Sequence, residues 1–260
     1  MGKIGSCSDP DGVGAMLARL AAKYETPAFL DGDPSWFMHQ AEGDSNREAT
    51  AFLASCLSFG SRSQFMPKIA RLVECAEGNV DGWIRSGAFD RDLPCGCGEC
   101  FYRFFKKGDM HAFLQSYRAL LDEYGTLGAY VSRMSGGDGY GAVKAICGRF
   151  GACGGGVIPK DAQSACKRVC MFLRWMVRDG SPVDIGLWSG AIDKRTLVIP
   201  LDTHVLRQST RIGLLKSSVA SMSAARRLSA ALAEIFPDDP LRGDFALFGY
   251  GVNHPGDRSV

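Results

Sequence analysis

Apolar residues recur along this chain with the spacing of an α-helix in segment after segment. In Asn46 to Phe59 the apolar positions fall three and four residues apart, and Asn46 is placed to cap the start of that helix. Convincing strand patterns are absent, and only Thr196 to Leu201 is a short stretch rich in β-branched residues. The pattern predicts an all-α protein with eight to ten helices. The other predicted helices are Pro67 to Ala76, Met110 to Tyr124, Ser164 to Val177, Thr203 to Ile212, Ser223 to Phe236 and Asp244 to Gly251.

Composition is that of an ordinary globular protein. Hydrophobic residues make up 46% and charged residues 22% of the chain. No apolar run reaches the length of a membrane span, and the first residues lack the apolar core of a signal peptide. We therefore expect a cytoplasmic protein with no membrane partner, whose cysteines stay as thiols in a reducing compartment.

Three cysteines, Cys95, Cys97 and Cys100, lie close together on a glycine-rich stretch. Three such thiols can hold zinc if a fourth ligand comes from elsewhere in the chain. The other interpretation is a flexible loop that happens to contain thiols. Because the motif is incomplete, we predict no metal and no cofactor, and these cysteines are the candidates should a metal be present.

The formal net charge of +2 does not by itself indicate a nucleic-acid ligand, so the distribution of charge matters more. The segment from Lys160 to Gly180 has five basic and two acidic residues, and the segment from Lys194 to Lys216 has five basic residues and one acidic residue. Two basic segments on either side of one loop suit a surface that follows a phosphate backbone. A solvated helix surface gives similar counts, and both interpretations stay open.

The most glycine-rich stretch of the chain, Gly151 to Gly156, leads into the basic segment. Gly155 and Gly156 offer backbone N–H groups ahead of a helix start, which is a common arrangement for binding phosphate. A flexible connector is an equally good interpretation of this stretch.

Asp202 has a local setting that suits chemistry. Pro200 and Leu201 favour an extended backbone, so Asp202 is predicted to be the N-cap of a helix that begins at Thr203. A carboxylate there lies at the positive end of the helix and stays ionised. It is well placed to face positive charge that develops in a reaction.

Lys167 lies near the start of the preceding predicted helix, next to Arg168. A neighbouring cation and partial burial both lower the pKa of a lysine, and a neutral amine can attack a sugar carbon and form a Schiff base. From local features alone, a solvated lysine and an ordinary helix cap are the simpler interpretations of Lys167 and Asp202.

The segment PLDTHVLRQSTRIGLL resembles the V-D-T-H-aliphatic-x-R-aliphatic stretch of the helix-hairpin-helix DNA glycosylase superfamily, which includes endonuclease III. A closer resemblance is to an uncharacterised bacterial family known only as a domain of unknown function. It is carried by the blocks NREATAFLASCLSFGSRSQ, FYRFFKKGDM, SACKRVCMFLRWMVR, IPLDTH and DDPLRGDFALFGYG, which extend over most of the chain. The resemblance implies one module, residues 1–260, with an active-site cleft between a helical lobe at 45–190 and a terminal lobe at 1–44 plus 191–260.

The resemblance also implies roles for individual residues. In the superfamily a lysine attacks the sugar C1′ and an aspartate stabilises the oxocarbenium-like state, and these roles fall on Lys167 and Asp202. Their separation along the chain is longer than in endonuclease III and is similar to that in archaeal 8-oxoguanine DNA glycosylases. Those enzymes hold the flipped base with an aspartate and an aromatic residue, which correspond to Asp244 and Phe248 on one helical face. Met171 is expected to form the opposite wall. For Phe248, packing in the core is the other interpretation.

Residues that contact DNA are expected in several segments. Arg62 and Gln64 fall where related enzymes insert side chains into the duplex, although an exposed turn has the same sequence pattern. The other predicted DNA contacts are Gly155, Gly156, Lys160, Arg168, His204 and Arg207.

The chain departs from endonuclease III at two points. VIPKDAQSAC stands in place of the Leu-Pro-Gly-Val-Gly hairpin run, so the backbone amides from Gly154 to Gly156 would take over part of the grip on DNA. No cysteine follows Cys170, so the iron–sulfur cluster of that enzyme is not expected.

Together these patterns predict a base-excision DNA glycosylase with AP lyase activity. Its substrate would be double-stranded DNA that contains an oxidised purine, above all 8-oxoguanine, with no obligate protein partner. The alternative is a non-catalytic helical nucleic-acid-binding module with the same fold, and a third hypothesis is an enzyme that acts on a modified RNA.

Overall fold

The computed structural model describes residues 10–254, which form thirteen α-helices, three short 3-10 turns and one two-stranded hairpin. The predicted all-α class is confirmed. The helices are α1 Pro10–Tyr24, α2 Trp36–Gln40, α3 Asp44–Leu57, α4 Arg62–Cys75, α5 Val80–Ser86, α6 Phe89–Asp92, α7 Lys107–Tyr124, α8 Leu127–Ser135, α9 Gly139–Phe150, α10 Lys167–Val177, α11 Thr203–Arg211, α12 Met222–Ile235 and α13 Arg242–Asn253. The 3-10 turns are Pro27–Leu30, Gly154–Gly156 and Lys194–Thr196.

The predicted helices are all present, but the expected total of eight to ten helices is too low, since residues 10–254 contain thirteen. The additional helices include α2 with five residues and α6 with four, which are too short to show a helical period in sequence. The β-branched stretch from Thr196 to Leu201 forms no strand. The strands are instead β1, Cys100–Tyr102, and β2, Phe105–Lys106, which pair antiparallel.

The division into two lobes is not tested by these elements and stays a prediction. The predicted module also includes residues 1–9 and 255–260, which lie outside the described residues. No helix between residues 10 and 254 combines the length and apolar character needed to cross a membrane.

Helix α3 forms the centre of the core, because it packs against α2, α4, α5 and α10. Phe52 on this helix is fully buried and contacts the rings of four other aromatic residues. Those four are Phe113, Tyr117, Phe150 and Phe172, with ring centroids 4.9 to 5.6 Å from that of Phe52. Aromatic pairs at such distances add to the burial energy of the core. Helix α10, which carries Lys167, is therefore held against the best-packed part of the molecule.

Asn46 does not cap α3 as predicted, because the helix begins two residues earlier with Gly43 as its N-cap. The buried Asn46 side chain instead accepts a hydrogen bond from the Val80 backbone N–H at 2.8 Å and donates to the Gly78 carbonyl at 2.8 Å. It therefore satisfies the first backbone N–H of α5 from a distant segment, while Asn79 is the N-cap of that helix.

Glu48 joins α3 to two further parts of the fold. Its carboxylate accepts hydrogen bonds from the backbone N–H groups of Leu127 at 2.8 Å and Gly128 at 3.0 Å, at the start of α8. It also accepts one from Trp188 Nε1 at 2.9 Å, in the long loop after α10. Burial raises the pKa of this carboxyl, and these three donors oppose the rise.

Arg178, the C-cap of α10, is 1% exposed and lies among three carboxylates from separate segments. Its guanidinium donates to Asp239 at 2.8 and 2.7 Å, to Glu25 at 2.7 Å, and to Asp184. These partners lie just before α13, just after α1 and in the loop after α10. A single buried cation therefore ties two distant segments and the loop after α10 to the end of that helix.

Arg174, one turn before Arg178, is 4% exposed and donates to Asp184 at 3.2 Å and to Asp244 on α13. Both arginines were counted among the basic residues of a phosphate-binding surface, and that interpretation is wrong for them. They lie inside the protein because carboxylates neutralise them and Phe245 packs against Arg174, whose guanidinium carbon is 4.3 Å from the ring centroid.

Removal of the Arg178 guanidinium leaves buried carboxylates without a partner. We expect Arg178→Met to lower the free energy of unfolding by about 3–5 kcal/mol, because uncompensated buried charge is costly. Urea unfolding followed by circular dichroism measures this effect. Arg195→Met is the matched control, because Arg195 forms an exposed pair with Asp193 and its loss should leave the midpoint unchanged. Equal midpoints for the two variants would contradict this account of the network.

Candidate active site

Lys167 is the first residue of α10, three residues later than the helix start predicted at Ser164. The helix begins there because Cys166 has a left-handed backbone with φ of 45°. The Lys167 ammonium lies 3.4 Å from Asp202 Oδ2, and the two side chains are 35% and 12% exposed. The pair is therefore accessible to a ligand at the protein surface.

Asp202 is the N-cap of α11, as predicted. Its Oδ1 accepts a hydrogen bond from the Val205 backbone N–H at 2.8 Å, and its own backbone is extended. One carboxylate oxygen is thus fixed by the helix while the other faces Lys167.

Lys167 and Asp202 lie on the wall of a cleft with a volume of about 310 Å³. Five other residues predicted for the site line the same cleft, and the polar and apolar groups converge there as in a small-molecule site. Those five are Met171, Asp244, Phe248, Arg62 and His204.

Asp244 and Phe248 lie on the same face of α13, and that face forms one wall of the cleft. Asp244 is buried, which raises the pKa of its carboxyl to about 6, although the ion pair with Arg174 opposes the rise. The Phe248 ring is half-buried and packs near Phe29 and His204, with both centroid separations at 6.1 Å. One face of α13 therefore presents a carboxylate and an aromatic ring to the same cleft.

Arg62 and Gln64 lie in the first turn of α4, but only Arg62 lines the cleft. Arg62 Nη2 lies 3.2 Å from Asp33 Oδ2, and its guanidinium carbon is 5.8 Å from the centroid of the Phe248 ring. Gln64 is exposed. The Arg62 side chain is thus directed toward the cleft in this structure.

Arg168 makes its contacts within the protein. Its guanidinium donates to the Cys56 carbonyl and, at 3.5 Å, to that of Gly156, and it packs on the ring of Phe59 at 4.9 Å. Burial lowers the pKa of Arg168. Its predicted contact with DNA stays a prediction.

The glycine turn that precedes this region is only partly open to an anion. Gly155 has a φ of 72°, and a Cβ there would overlap the carboxyl of Asp109. Gly156, with φ of 68°, has open space at the corresponding position. Lys160 is exposed. Phosphate binding at this turn stays a prediction, and a carboxylate beside Gly155 makes Gly156 the better-placed glycine.

His204 and Arg207, one turn apart on α11, both lie beside the carbonyl oxygen of Gly251. The separations are 3.2 Å from His204 Nδ1 and 3.5 Å from Arg207 Nη2. His204 lines the cleft and Arg207 is exposed. Together they join α11 to the end of α13, beside the wall that carries Phe248.

The three loop cysteines do not come together as a metal site. In residues 10–254 no group of three or more His, Cys, Asp or Glu side chains is arranged to hold a metal ion. Cys95 and Cys100 are exposed, Cys97 is half-exposed, and the Cys100 thiol lies 3.1 Å from the Arg103 carbonyl.

Two charged residues of the cleft escaped the sequence analysis. Arg174 lines the cleft beside Asp244, and the signal for it was an arginine within the otherwise apolar MFLRWMVR run, which is unusual unless the charge is buried and paired. Asp33 is buried, accepts hydrogen bonds from Ser35 and pairs with Arg62. Nothing in its sequence setting distinguished it from an ordinary turn aspartate.

The raised pKa of Asp244 predicts a specific pH dependence of stability. The folded protein retains this proton up to about pH 6, whereas the unfolded chain releases it near the usual value of 3.8. The group therefore favours folding below pH 4, and this contribution is lost as the pH rises to about 6. The free energy of unfolding of the wild type minus that of Asp244→Asn should fall across this window and level off above it. Urea unfolding at a series of pH values measures the difference, and a flat difference would show that Asp244 titrates normally.

The chain was also compared with known proteins. No curated protein and no solved structure was found to match it. A family model described as a protein of unknown function, DUF2400, matches residues 33–253, a range that includes every lining residue of the cleft except Phe29. The chain belongs to the DUF2400 family.

Proposed function

We propose that this protein is a DNA glycosylase with AP lyase activity, of the helix-hairpin-helix superfamily, that removes an oxidised purine such as 8-oxoguanine from double-stranded DNA. One observation carries the proposal. The Lys167 ammonium and the Asp202 carboxylate are 3.4 Å apart on the wall of a cleft that Asp244, Phe248 and Met171 also line.

Lys167 is the nucleophile in this proposal. After it loses a proton to solvent, its amine forms a bond to the sugar C1′, and the glycosidic bond breaks with its electron pair leaving on the base, which takes up a proton. The sugar ring then opens: the C1′–O4′ bond breaks with its electron pair leaving on O4′, which takes up a proton, and a protonated Schiff base forms between Lys167 and C1′. Loss of a proton from C2′ and departure of the 3′ phosphate complete β-elimination. The side chain is 35% exposed, so it can reach a sugar at the mouth of the cleft.

Asp202 is the electrostatic partner. Its carboxylate opposes the positive charge that develops on the sugar as the base departs, and it orients the Lys167 amine. The N-cap hydrogen bond to Val205 fixes the group in advance, so little reorganisation is needed during the reaction.

The base would lie against α13. Phe248 and Met171 offer apolar surfaces for its faces, and the Asp244 carboxylate accepts hydrogen bonds from ring N–H groups. Arg174 donates through Nε and Nη1 to carboxylates, while its Nη2 has no hydrogen-bond partner within residues 10–254. A carboxylate acceptor beside a guanidinium donor matches N7–H and the neighbouring carbonyl oxygen of 8-oxoguanine, and guanine has no hydrogen on N7, so this pairing favours the oxidised base.

Replacement of Lys167 tests the reaction directly. We expect the wild-type protein to release the base from a duplex that contains 8-oxoguanine opposite cytosine and to form a covalent adduct when borohydride reduces the Schiff base. Lys167→Gln should lose both activities, because an amide is not a nucleophile. Lys144→Gln is the matched control, since Lys144 is an exposed lysine on α9. Absence of any adduct with the wild type across several lesions would exclude the proposed chemistry and favour a non-catalytic nucleic-acid-binding module.

Asp202→Asn is the companion variant. Asparagine caps a helix about as well as aspartate, so the fold should be retained while the charge is lost. We expect the rate of base release to fall by about 100-fold, which is typical when one preorganised electrostatic group is removed. Single-turnover kinetics measure this rate, and a rate close to that of the wild type would rule out an electrostatic role for Asp202.

Variants of α13, the proposed base-binding wall, should separate release of the base from cleavage of the DNA strand. Asp244→Asn and Phe248→Leu alter contacts to the base, so we expect slower release of 8-oxoguanine. Cleavage of a duplex that already contains an abasic site needs no base contact and should continue, as should borohydride trapping on that duplex. Equal losses on both substrates would mean that α13 acts on the fold of the site and not on the base.

A further inference from the structure

The hairpin formed by β1 and β2 presents an aromatic side chain to solvent beside the cleft. Phe104 occupies its turn and is 62% exposed, although its neighbours Tyr102 and Phe105 are buried. Arg103, the other turn residue, has a left-handed backbone with φ of 53°, which directs the chain back sharply. A phenylalanine exposed to this extent on a tight turn leaves most of its apolar surface available to an external partner.

The hairpin is fixed to the edge of the cleft. The Tyr102 hydroxyl donates a hydrogen bond to the carbonyl of Phe59, and both Phe59 and Gly60 line the cleft. A Cβ at Gly60 would lie 2.7 Å from Arg103 Nη1 and 2.9 Å from the Tyr102 hydroxyl, so the two segments approach as closely as a glycine permits. The position of Phe104 relative to the cleft is therefore set by the fold.

Other rings support Phe104 from beneath. Its ring centroid is 5.2 Å from that of Phe59 and 4.8 Å from that of Phe105, and Arg168 packs against both supporting rings. A side chain held in this way loses little conformational entropy when it binds a ligand. Its exposed surface offers a flat, rigid platform.

The charge around the platform favours a polyanion. From Phe101 to Lys107 the chain carries three basic residues and no acidic residue. Lys107 pairs with Glu99 at 2.7 Å, which leaves Arg103 and Lys106 as the cations beside Phe104. Lys106 is exposed, and the Arg103 guanidinium carbon lies 5.7 Å from the Phe59 ring centroid. An aromatic platform among cations is the combination with which proteins bind exposed bases and the phosphates that flank them.

We infer that Phe104 stacks on the DNA bases that border the nucleotide held in the cleft, with Arg103 and Lys106 on the adjoining phosphates. This inference rests on the proposed function, because it requires a nucleotide to leave the duplex and enter the cleft. The stacked ring replaces part of the base stacking that the displaced nucleotide gives up. The hairpin is thus the part of the protein that enters the duplex.

Arg62 and Gln64 were the residues expected in that role. Arg62 instead pairs with Asp33 and lies beside the Phe248 ring, so it would have to leave both to enter the duplex. Phe104 needs no such rearrangement, because its exposed face makes no contact that must be broken.

Binding to two duplexes tests the inference. The probes are a duplex that contains a tetrahydrofuran abasic-site analogue and the same duplex without damage, each measured by fluorescence anisotropy. We expect Phe104→Ala to weaken binding to the abasic duplex by about tenfold, a typical loss for one stacking contact, and to leave binding to the undamaged duplex nearly unchanged. Phe104→Trp should retain the affinity. The dependence of binding on salt should be the same for all three proteins, because no charge is altered.

Met134→Ala is the matched control, because Met134 is also an exposed hydrophobic residue, on α8. This variant should bind both duplexes as the wild type does. Gln64→Ala tests the residue first expected to enter the duplex. Unchanged affinity of Phe104→Ala for the abasic duplex would overturn the inference, as would a loss confined to Gln64→Ala or a wild type that binds neither duplex.

The proposed function is judged separately, by borohydride trapping with the same proteins. Selective loss of abasic-duplex binding in Phe104→Ala without any wild-type adduct would uphold the hairpin contact and reject the lysine chemistry. If the wild type forms an adduct but Phe104→Ala binds the abasic duplex as tightly as the wild type, the lysine chemistry is upheld and the hairpin contact is rejected.

Discussion

The buried ion-pair network at the end of α10 is the constraint on which the site depends. Arg174 and Arg178 lie one helical turn apart, and each needs carboxylates that come from other segments. Because isolated buried charges cost far more than paired ones, the network forms only when α13, the loop after α10 and the chain after α1 are all in place. Folding of these segments and formation of the cleft are therefore coupled.

The same network explains why the apolar helix α13 carries an aspartate, Asp244, that lines the cleft. Asp244 is bound to Arg174, which itself is held by Asp184, so neither group is free to turn away. Lys167 is on the same helix as Arg174, two turns earlier. A single helix thus positions the proposed nucleophile in the cleft and, through Arg174, the Asp244 carboxylate that lines the same cleft.

The local half of the site was predictable because its signals are local. An aspartate after Pro200-Leu201 and before a helical run is a cap by its position alone, and the structure confirms the bond to Val205. The i and i+4 spacing of Asp244 and Phe248 likewise requires only a helix. Asn46 shows where this reasoning fails: it has the residue type of a cap, but the N–H that it satisfies belongs to α5, far along the chain.

The sequence by itself determined the helical class, the cap at Asp202 and the shared face of α13, because each follows from spacing within one element. Tertiary structure alone decided which charges are exposed. Arg174 and Arg178 count as positive surface in a sequence, yet they are buried beside carboxylates, of which Glu25, Asp239 and Asp244 are distant in the chain and adjacent in space. The 3.4 Å approach of Lys167 to Asp202 is also of this kind, since it depends on the packing of two helices joined by a long loop.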